Sequence, residues 1–203
     1  LAAREVPDQP GVDRAEQQLN RELDAARQRL SVLRELEKNM EGYQNSVKTV
    51  MRAASARRLR GIIGPVSSIL RVEPGCEVAV ETALGAALQN IVVENEAAAK
   101  AAIALLRNDH AGRATFLPLD TVQPGAFRGR LSGTARLASA LVQADPRYEN
   151  IVSNLLGRII VVEDINEASR VARDNGYHNK VVTMDGQVIN AGGSFTGGSV
   201  QRS

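Results

Sequence analysis

Residues 185–199 read DGQVINAGGSFTGGS. Gly186 is followed after six residues by Gly193, and after three more by the pair Gly197 and Gly198, with Gly192 alongside. Val188, Ile189 and Phe195 between them are strand-forming residues, so the stretch does not read as a flexible linker. Glycine inside a strand loses more entropy on ordering than other residues and offers no side chain to pack. A strand that accepts it needs a positive-φ turn, a bulge or the close approach of another backbone. Two readings follow. One is a hairpin with glycine turns; the other is a surface strand stripped of side chains so that another chain can lie against it.

Upstream of this stretch the chain repeats itself. Leu84-Gly85, then IVVE from Ile91, an alanine-containing helix and RATFL is echoed by Leu156-Gly157, IVVE from Ile160, a helix through Ala168 and Ala172, and KVVTM. The two strand–helix–strand units lie sixty-nine residues apart and predict two related halves in a mixed α/β (α+β) domain. Around them the patterns predict helices over 43–59, 76–89, 96–108, 135–142, 148–156 and 165–175. Strands are predicted over 68–72, 90–94, 113–117, 159–163 and 180–184, with Gly61-Ile-Ile-Gly64-Pro65 as a turn. A loop rich in Gly and Pro, residues 120–134, marks a boundary between the halves.

Ahead of the domain, Pro7, Pro10 and Gly11 predict a disordered segment over 1–12. From residue 13 a helical pattern begins, with Leu19, Leu23, Ala26, Leu30 and Leu33 recurring at steps of four and three among charged residues. That is a coiled-coil seam, whose register slips at Glu37 as Leu36 and Met40 take the apolar role. A seam this narrow is marginal alone in water and calls for a partner helix.

The net charge of +2 hides a segregation of charge. Residues 42–72 contain no acid but carry Lys48, Arg52, Arg57, Arg58, Arg60 and Arg71, whereas 73–99 carry five glutamates and no base. A second acid-free run, 121–144, holds Arg128, Arg130 and Arg136. Segregation of this kind predicts a polar surface with a basic face. Aromatic content of 3% with no Trp argues against a base-stacking platform. A single cysteine, Cys76, excludes an internal disulfide, and with only His110 and His178 a Cys/His metal site has no support. No apolar run reaches the ~18 residues of a membrane span and the N-terminus lacks a signal-peptide pattern, which points to a cytosolic setting.

Catalytic signatures are missing. There is no GxxxxGK[ST], no GxSxG elbow and no dinucleotide fingerprint. Cys76 at a predicted helix N-terminus could have a lowered pKa, but no histidine lies near it in sequence, and it reads as structural. GGSFTGG offers at most a backbone cradle for an anion.

Taken in order, MEGYQNSVKTV, LRGIIGPVSSILRV, CEVAVETALGAALQNIVVENEAAAKAAI, GRATFLPLD and MDGQVINAGGSFTGGS resemble the hinge domain of bacterial structural-maintenance-of-chromosomes proteins. The resemblance covers residues 41–199 and includes the Gx6Gx3GG spacing. It implies a two-lobed hinge with pseudo-twofold halves, the lobes at about 42–120 and 135–199 of a domain spanning 42–199. An incoming coiled-coil arm would occupy 13–41 and the outgoing arm would begin at 200–203. It also implies a homodimer, with Gly186, Gly193, Gly197 and Gly198 where two subunits meet. The returning arm of the full-length chain would be the helix's partner. Weak, sequence-independent DNA contact would fall near the hinge–coil junction, with Lys48, Arg52, Arg57, Arg58 and Arg60 as candidates. No cofactor is expected in this domain, since ATP and Mg would belong to distant head domains, and no membrane is expected; the setting would be a nucleoid-associated cytoplasm. Two alternatives are a dimerisation hinge with no DNA role, or from a related repair protein, and a small-molecule enzyme using GGSFTGG as an anion cradle.

Overall fold

The computed structural model describes residues 10–39 and 42–199. The chain divides after Tyr43 into a helical unit and a compact body. The helical unit is α1 (Pro10–Asn39). It begins three residues before the predicted start, because proline at the first helical position has no amide to leave unsatisfied and a φ already set for the helix. The seam leucines lie open to solvent, Leu19 at 64% and Leu23 and Leu30 at 47% each. Met40, to which the predicted register change passes the apolar role, the segment 1–9 and the outgoing residues 200–203 lie outside the described residues.

The body opens with α2 (Asn45–Ser55), β1 (Ile62–Pro65), α3 (Val66–Ile69) and β2 (Arg71–Val72). Next come α4 (Glu77–Leu84), which runs on as a 3-10 turn over Gly85–Gln89, β3 (Ile91–Val93), α5 (Glu96–Asn108) and β4 (Phe116–Pro118). The second half holds β5 (Arg136–Leu137), a 3-10 turn (Ala138–Leu141), β6 (Val142–Gln143) and α6 (Glu149–Leu156). It continues with β7 (Ile160–Val162), α7 (Ile165–Asp174), β8 (Val181–Thr183), β9 (Val188–Ile189) and β10 (Phe195–Thr196).

Three expectations are corrected here. Residues 62–65 form a strand rather than part of a turn. Gly61 lets the strand pass close to α5, where a Cβ would sit 3.0 Å from that of Ala98, and a register shift between Ile62 and Gly64 absorbs the irregularity. Residues 66–69 are helical because the Ser68 hydroxyl donates to the Pro65 carbonyl (2.7 Å), closing a turn where a strand was predicted. Residues 135–142 are helical only as a 3-10 turn over Ala138–Leu141: Arg136 and Leu137 pair with Val161 and Ile160, and the Ala138 amide donates to the Ile159 carbonyl (2.8 Å). Pairing with the buried strand β7 overrides local propensity.

The repeat extends beyond the predicted units. In one sheet β1 is antiparallel to β3 and β3 parallel to β4; in the other β5 is antiparallel to β7 and β7 parallel to β8. The helix caps correspond too. Asn95 Oδ1 accepts from the Ala98 amide and Asp164 Oδ1 from the Glu167 amide, each at 2.9 Å, fixing the start of α5 and of α7. Between the halves, β2 pairs antiparallel with its counterpart β6, Arg71 opposite Gln143 and Val72 opposite Val142. The local twofold runs through that ribbon.

The two halves are fused. One apolar cluster takes Val66, Val80, Leu84 and Val92 from the first and Leu141, Ile151, Leu156 and Val182 from the second. Lys180 from the second half donates to the Ala83 carbonyl at the end of α4 (3.1 Å), and burial pulls its pKa down. Arg136 meets Glu73 (3.1 Å) across the same boundary. Residues 120–134, predicted as a boundary loop, form a strap tied onto the second half. The Ser153 hydroxyl donates to the Gly125 carbonyl (2.8 Å) and Asn175 grips both backbone groups of Arg130 (2.8 and 3.0 Å). Glu167 accepts from the Thr134 amide (2.7 Å) and hydroxyl (2.6 Å).

A shared core has a testable consequence. Ile151→Ala should cost about 2–5 kcal/mol by leaving a cavity, and both halves should still unfold together, with amides of Val92 and Val182 giving the same opening free energy by hydrogen exchange. The strap supplies a pH prediction. The hydrogen bond from the Thr134 hydroxyl holds the Glu167 carboxyl below its usual range against the opposing effect of burial, helped by the Thr134 and Glu163 amides and Arg170. A lowered folded-state pKa stabilises above the ordinary glutamate value of 4.5 and is lost as pH falls through the folded value. Glu167→Gln should therefore be less stable than the native chain at neutral pH, and the gap should narrow as the pH falls below 4.5 in urea titrations.

Candidate dimer edge and basic face

The stretch 185–199 is a hairpin and an edge strand at once. β8, β9 and β10 run antiparallel at one side of the five-stranded sheet, ordered β10-β9-β8-β7-β5. Gly186 (φ +88°) turns the chain between β8 and β9, where the Thr183 amide donates to the Gln187 carbonyl (2.9 Å). Gly193 (φ +98°) does the same before β10, its amide donating to the Asn190 carbonyl (3.0 Å). Both glycines answer to turns within the chain. Gly197 and Gly198 follow β10 and are exposed. At Gly197 a Cβ would overlap the carboxamide oxygen of Gln187, whereas Gly198 has open space around it.

β10 is the outermost strand and carries Phe195, 60% exposed. Its ladder can be phased. The Asn190 amide donates to the Ser194 carbonyl (2.7 Å), so that pair is bonded, and the next pair, Ile189 with Phe195, is the non-bonded kind. Phe195 and, two residues on, Gly197 therefore direct their N–H and C=O groups away from β9. A second edge lies in the first half, where β4 ends the sheet ordered β1-β3-β4. Its counterpart β8 is covered by β9; β4 has no such cover among the described residues.

Three of the donors that the anion-cradle reading needs are already engaged. The Gly192 amide donates to the Tyr177 carbonyl (2.8 Å), that of Gly193 to Asn190, and that of Gly198 to Gln187 Oε1 (2.8 Å). Cys76 is buried rather than activated. Burial pushes its thiol pKa up, the Glu73 carboxylate adds to the rise, and Arg136 opposes it, correcting the lowered value suggested by its position. Among the described residues no group of three or more His, Cys, Asp or Glu side chains could hold a metal ion.

The five candidate basic residues fall into two sets. Lys48 and Arg52 lie one turn apart on α2. The helix ends at Ser55, four residues before the predicted end, because the Arg57 and Arg58 amides turn back onto the Ala54 (3.1 Å) and Ala53 (2.9 Å) carbonyls. Arg57 holds the left-handed position (φ +59°) that glycine usually takes at a helix end. Arg58 reaches Asp109 (3.9 Å) at the end of α5, so part of its charge is answered internally, and Arg60 is exposed. Two further arginines, Arg107 and Arg113, lie on either side in sequence of the Asp109 that Arg58 reaches. They line a groove of about 470 Å³ together with Ile103, Leu106 and Ala114, and a Cβ added at the adjoining Gly112 would lie 3.7 Å from that of Ser46 on α2. Spacing in the sequence gives no sign of them, since only the packing of α2 on α5 unites the two segments.

A family model described as "SMC proteins Flexible Hinge Domain" matches residues 59–172, more than half of the chain. The chain belongs to the SMC hinge family. Its relatives include the chromosome partition protein Smc of Desulfitobacterium hafniense, 40% identical over 92% of the chain, and that of Bacillus subtilis, 37% identical over 87%. The chain spans only 16% and 15% of the length of these two relatives. In the solved structures, an asymmetric dimer of the Geobacillus stearothermophilus SMC hinge domain matches with a TM-score of 0.75 at 35% identity, covering 94% of this chain and 81% of that one. The mixed helix-and-sheet hinge fold expected from the sequence is thus the fold of this body. No described helix is long and apolar enough to cross a membrane.

Proposed function

We propose that the body is a homodimerisation hinge of a chromosome-organising SMC ATPase, joining two coiled-coil arms and touching DNA near their base. The observation that carries the dimer is that β10 and β4 each end a sheet with no further strand of the described residues beside them. β10 of one subunit would add to β4 of its partner, and a twofold would make the same seam twice. The Geobacillus hinge, itself a dimer, supports this reading. Gly197 and Gly198 would lie at each seam, with Gly186 and Gly193 shaping the hairpin behind it. The exposed leucine seam of α1 supports the returning arm as its partner. In the full-length protein, ATP and Mg would act at heads far along the arms. A nucleoid-associated cytoplasmic setting follows from that role.

DNA contact rests on Lys48, Arg52, Arg57, Arg58 and Arg60, joined by Arg107 and Arg113. Arginines without aromatic partners meet phosphates rather than bases, so binding would be blind to sequence and sensitive to salt.

Light scattering tests the dimer. The native chain should weigh twice 21.8 kDa, and Phe195→Asp should fall to one unit with its melting temperature little changed. A native chain that weighs one unit at every concentration would overturn the reading. Fluorescence anisotropy on a short duplex tests the other half. Arg57→Glu with Arg60→Glu should weaken binding and flatten the plot of log K against log salt by about 2, at roughly 0.9 per phosphate lost. Unchanged slope and affinity would leave a dimerisation hinge with no DNA role on this face.

A further inference from the structure

We infer that Gln187 is a positioning residue that holds the outer strand ready for its partner and fixes how the chain leaves the hinge; this rests on the dimer reading. Gln187 precedes β9, opposite Gly197. Its side-chain Nε2 donates to the Gly198 carbonyl (3.0 Å) and its Oε1 accepts from the Gly198 amide (2.8 Å). By the alternation of an antiparallel ladder, Gly198 is the next residue after Thr196 to point its polar groups inward. The backbone that should meet it there is Gly186, which has already turned away into the loop before β9. The carboxamide, with one donor and one acceptor in a plane, takes the place of that missing backbone partner.

The clamp explains Gly197 without reference to a second subunit. A Cβ at 197 would occupy the space of Gln187 Oε1, so the carboxamide reaches Gly198 only by passing over a bare Cα. A second carboxamide works at the other end of β10. Asn190 Nδ2 lies within hydrogen-bonding distance of the Ser194 carbonyl (3.3 Å), the Ser194 hydroxyl (3.1 Å) and the Thr196 hydroxyl (3.1 Å). β10 has only two residue pairs with β9, too few to hold an edge strand straight. The side chains supply the rest from the inner side. They satisfy Gly198 within its own chain and leave the outward groups of Phe195 and Gly197 for the partner strand.

The test uses Gln187→Ala, with Gly197→Ala as a second variant that displaces the carboxamide without removing it. Hydrogen exchange is read in a Phe195→Asp background, where no subunit contact contributes, and the dimer Kd is read by sedimentation in the native background. With two hydrogen bonds lost and the strand no longer preorganised, the Gly198 amide should exchange about tenfold faster, and the dimer Kd should rise about tenfold. Amides of Val182 and Ile189 should be unaffected, which separates the clamp from general destabilisation. Gln187→Glu keeps the acceptor for the Gly198 amide and loses the donor, so it should fall between the native chain and Gln187→Ala. Unaltered Gly198 exchange would overturn the clamp. Faster exchange with an unchanged Kd in a native dimer would overturn the pairing role alone. A native chain that stays monomeric would overturn the dimer reading and the pairing role with it.

Discussion

The antiparallel pairing of Arg71 and Val72 with Val142 and Gln143 governs the rest of the body. It is only two residues long on each side, too short to be stable by itself. What holds it is the apolar cluster beneath, to which Val66, Val80 and Leu84 of the first half and Leu141, Ile151 and Leu156 of the second contribute together. Each fully buried aliphatic side chain there is worth about 1.5–3 kcal/mol against exposure, so removing either half would open this shared cluster, although the second half keeps a smaller one of its own around Val171 and Ile189. Lys180 on the Ala83 carbonyl and Arg136 on Glu73 tie the same boundary from its polar side. A body joined in this way moves as one piece, and any opening of the proposed dimer has to occur at the seams between subunits.

The same near-symmetry produces the edges. Each half builds a three-strand unit with its two parallel strands joined by a helix, and the outer strand of that unit, β4 or β8, would be an edge in both. The second half continues into β9 and β10 and covers β8; the first half passes into the strap instead, and β4 stays uncovered. The glycines then divide by physical cause. Gly186 and Gly193 are needed where the chain reverses, Gly197 where the Gln187 side chain crosses it. A single spacing pattern therefore records two separate demands, and a shared position in the pattern does not imply a shared role.

How much of this was legible follows from where each signal resides. Helix α5 runs over the predicted residues because its cap, Asn95, and its buried alanines are all local. The strands at Ile91 and Ile160 are plain because both their faces are buried, which leaves an uninterrupted apolar run. Strands β1, β5 and β6 were missed because they exist by pairing: Arg136 and Leu137 carry no strand pattern until β7 lies beside them. The coupling of Arg58 to Asp109, between Arg107 and Arg113 in sequence, depends on the packing of α2 on α5 and left no trace in spacing. The Gln187 clamp is the same kind of omission, since one glutamine among strand residues looks like any polar surface position.

Short edges also bear on how the proposed dimer would behave. β4 offers three residues and β10 two, and edges of that length recruit foreign strands poorly, which limits aggregation. A single seam built from them would be weak. A twofold makes two identical seams, and once the first has formed, the rigid body holds the second pair of edges at an effective concentration far above any in solution. Joint stability then exceeds that of either seam without new contacts. The converse also holds: release of one seam costs little by itself, and the other keeps the subunits together while it is open. Preorganisation of β10 by Gln187 and Asn190 matters most in such an arrangement, because each seam has too few bonds to offset the cost of ordering a loose strand.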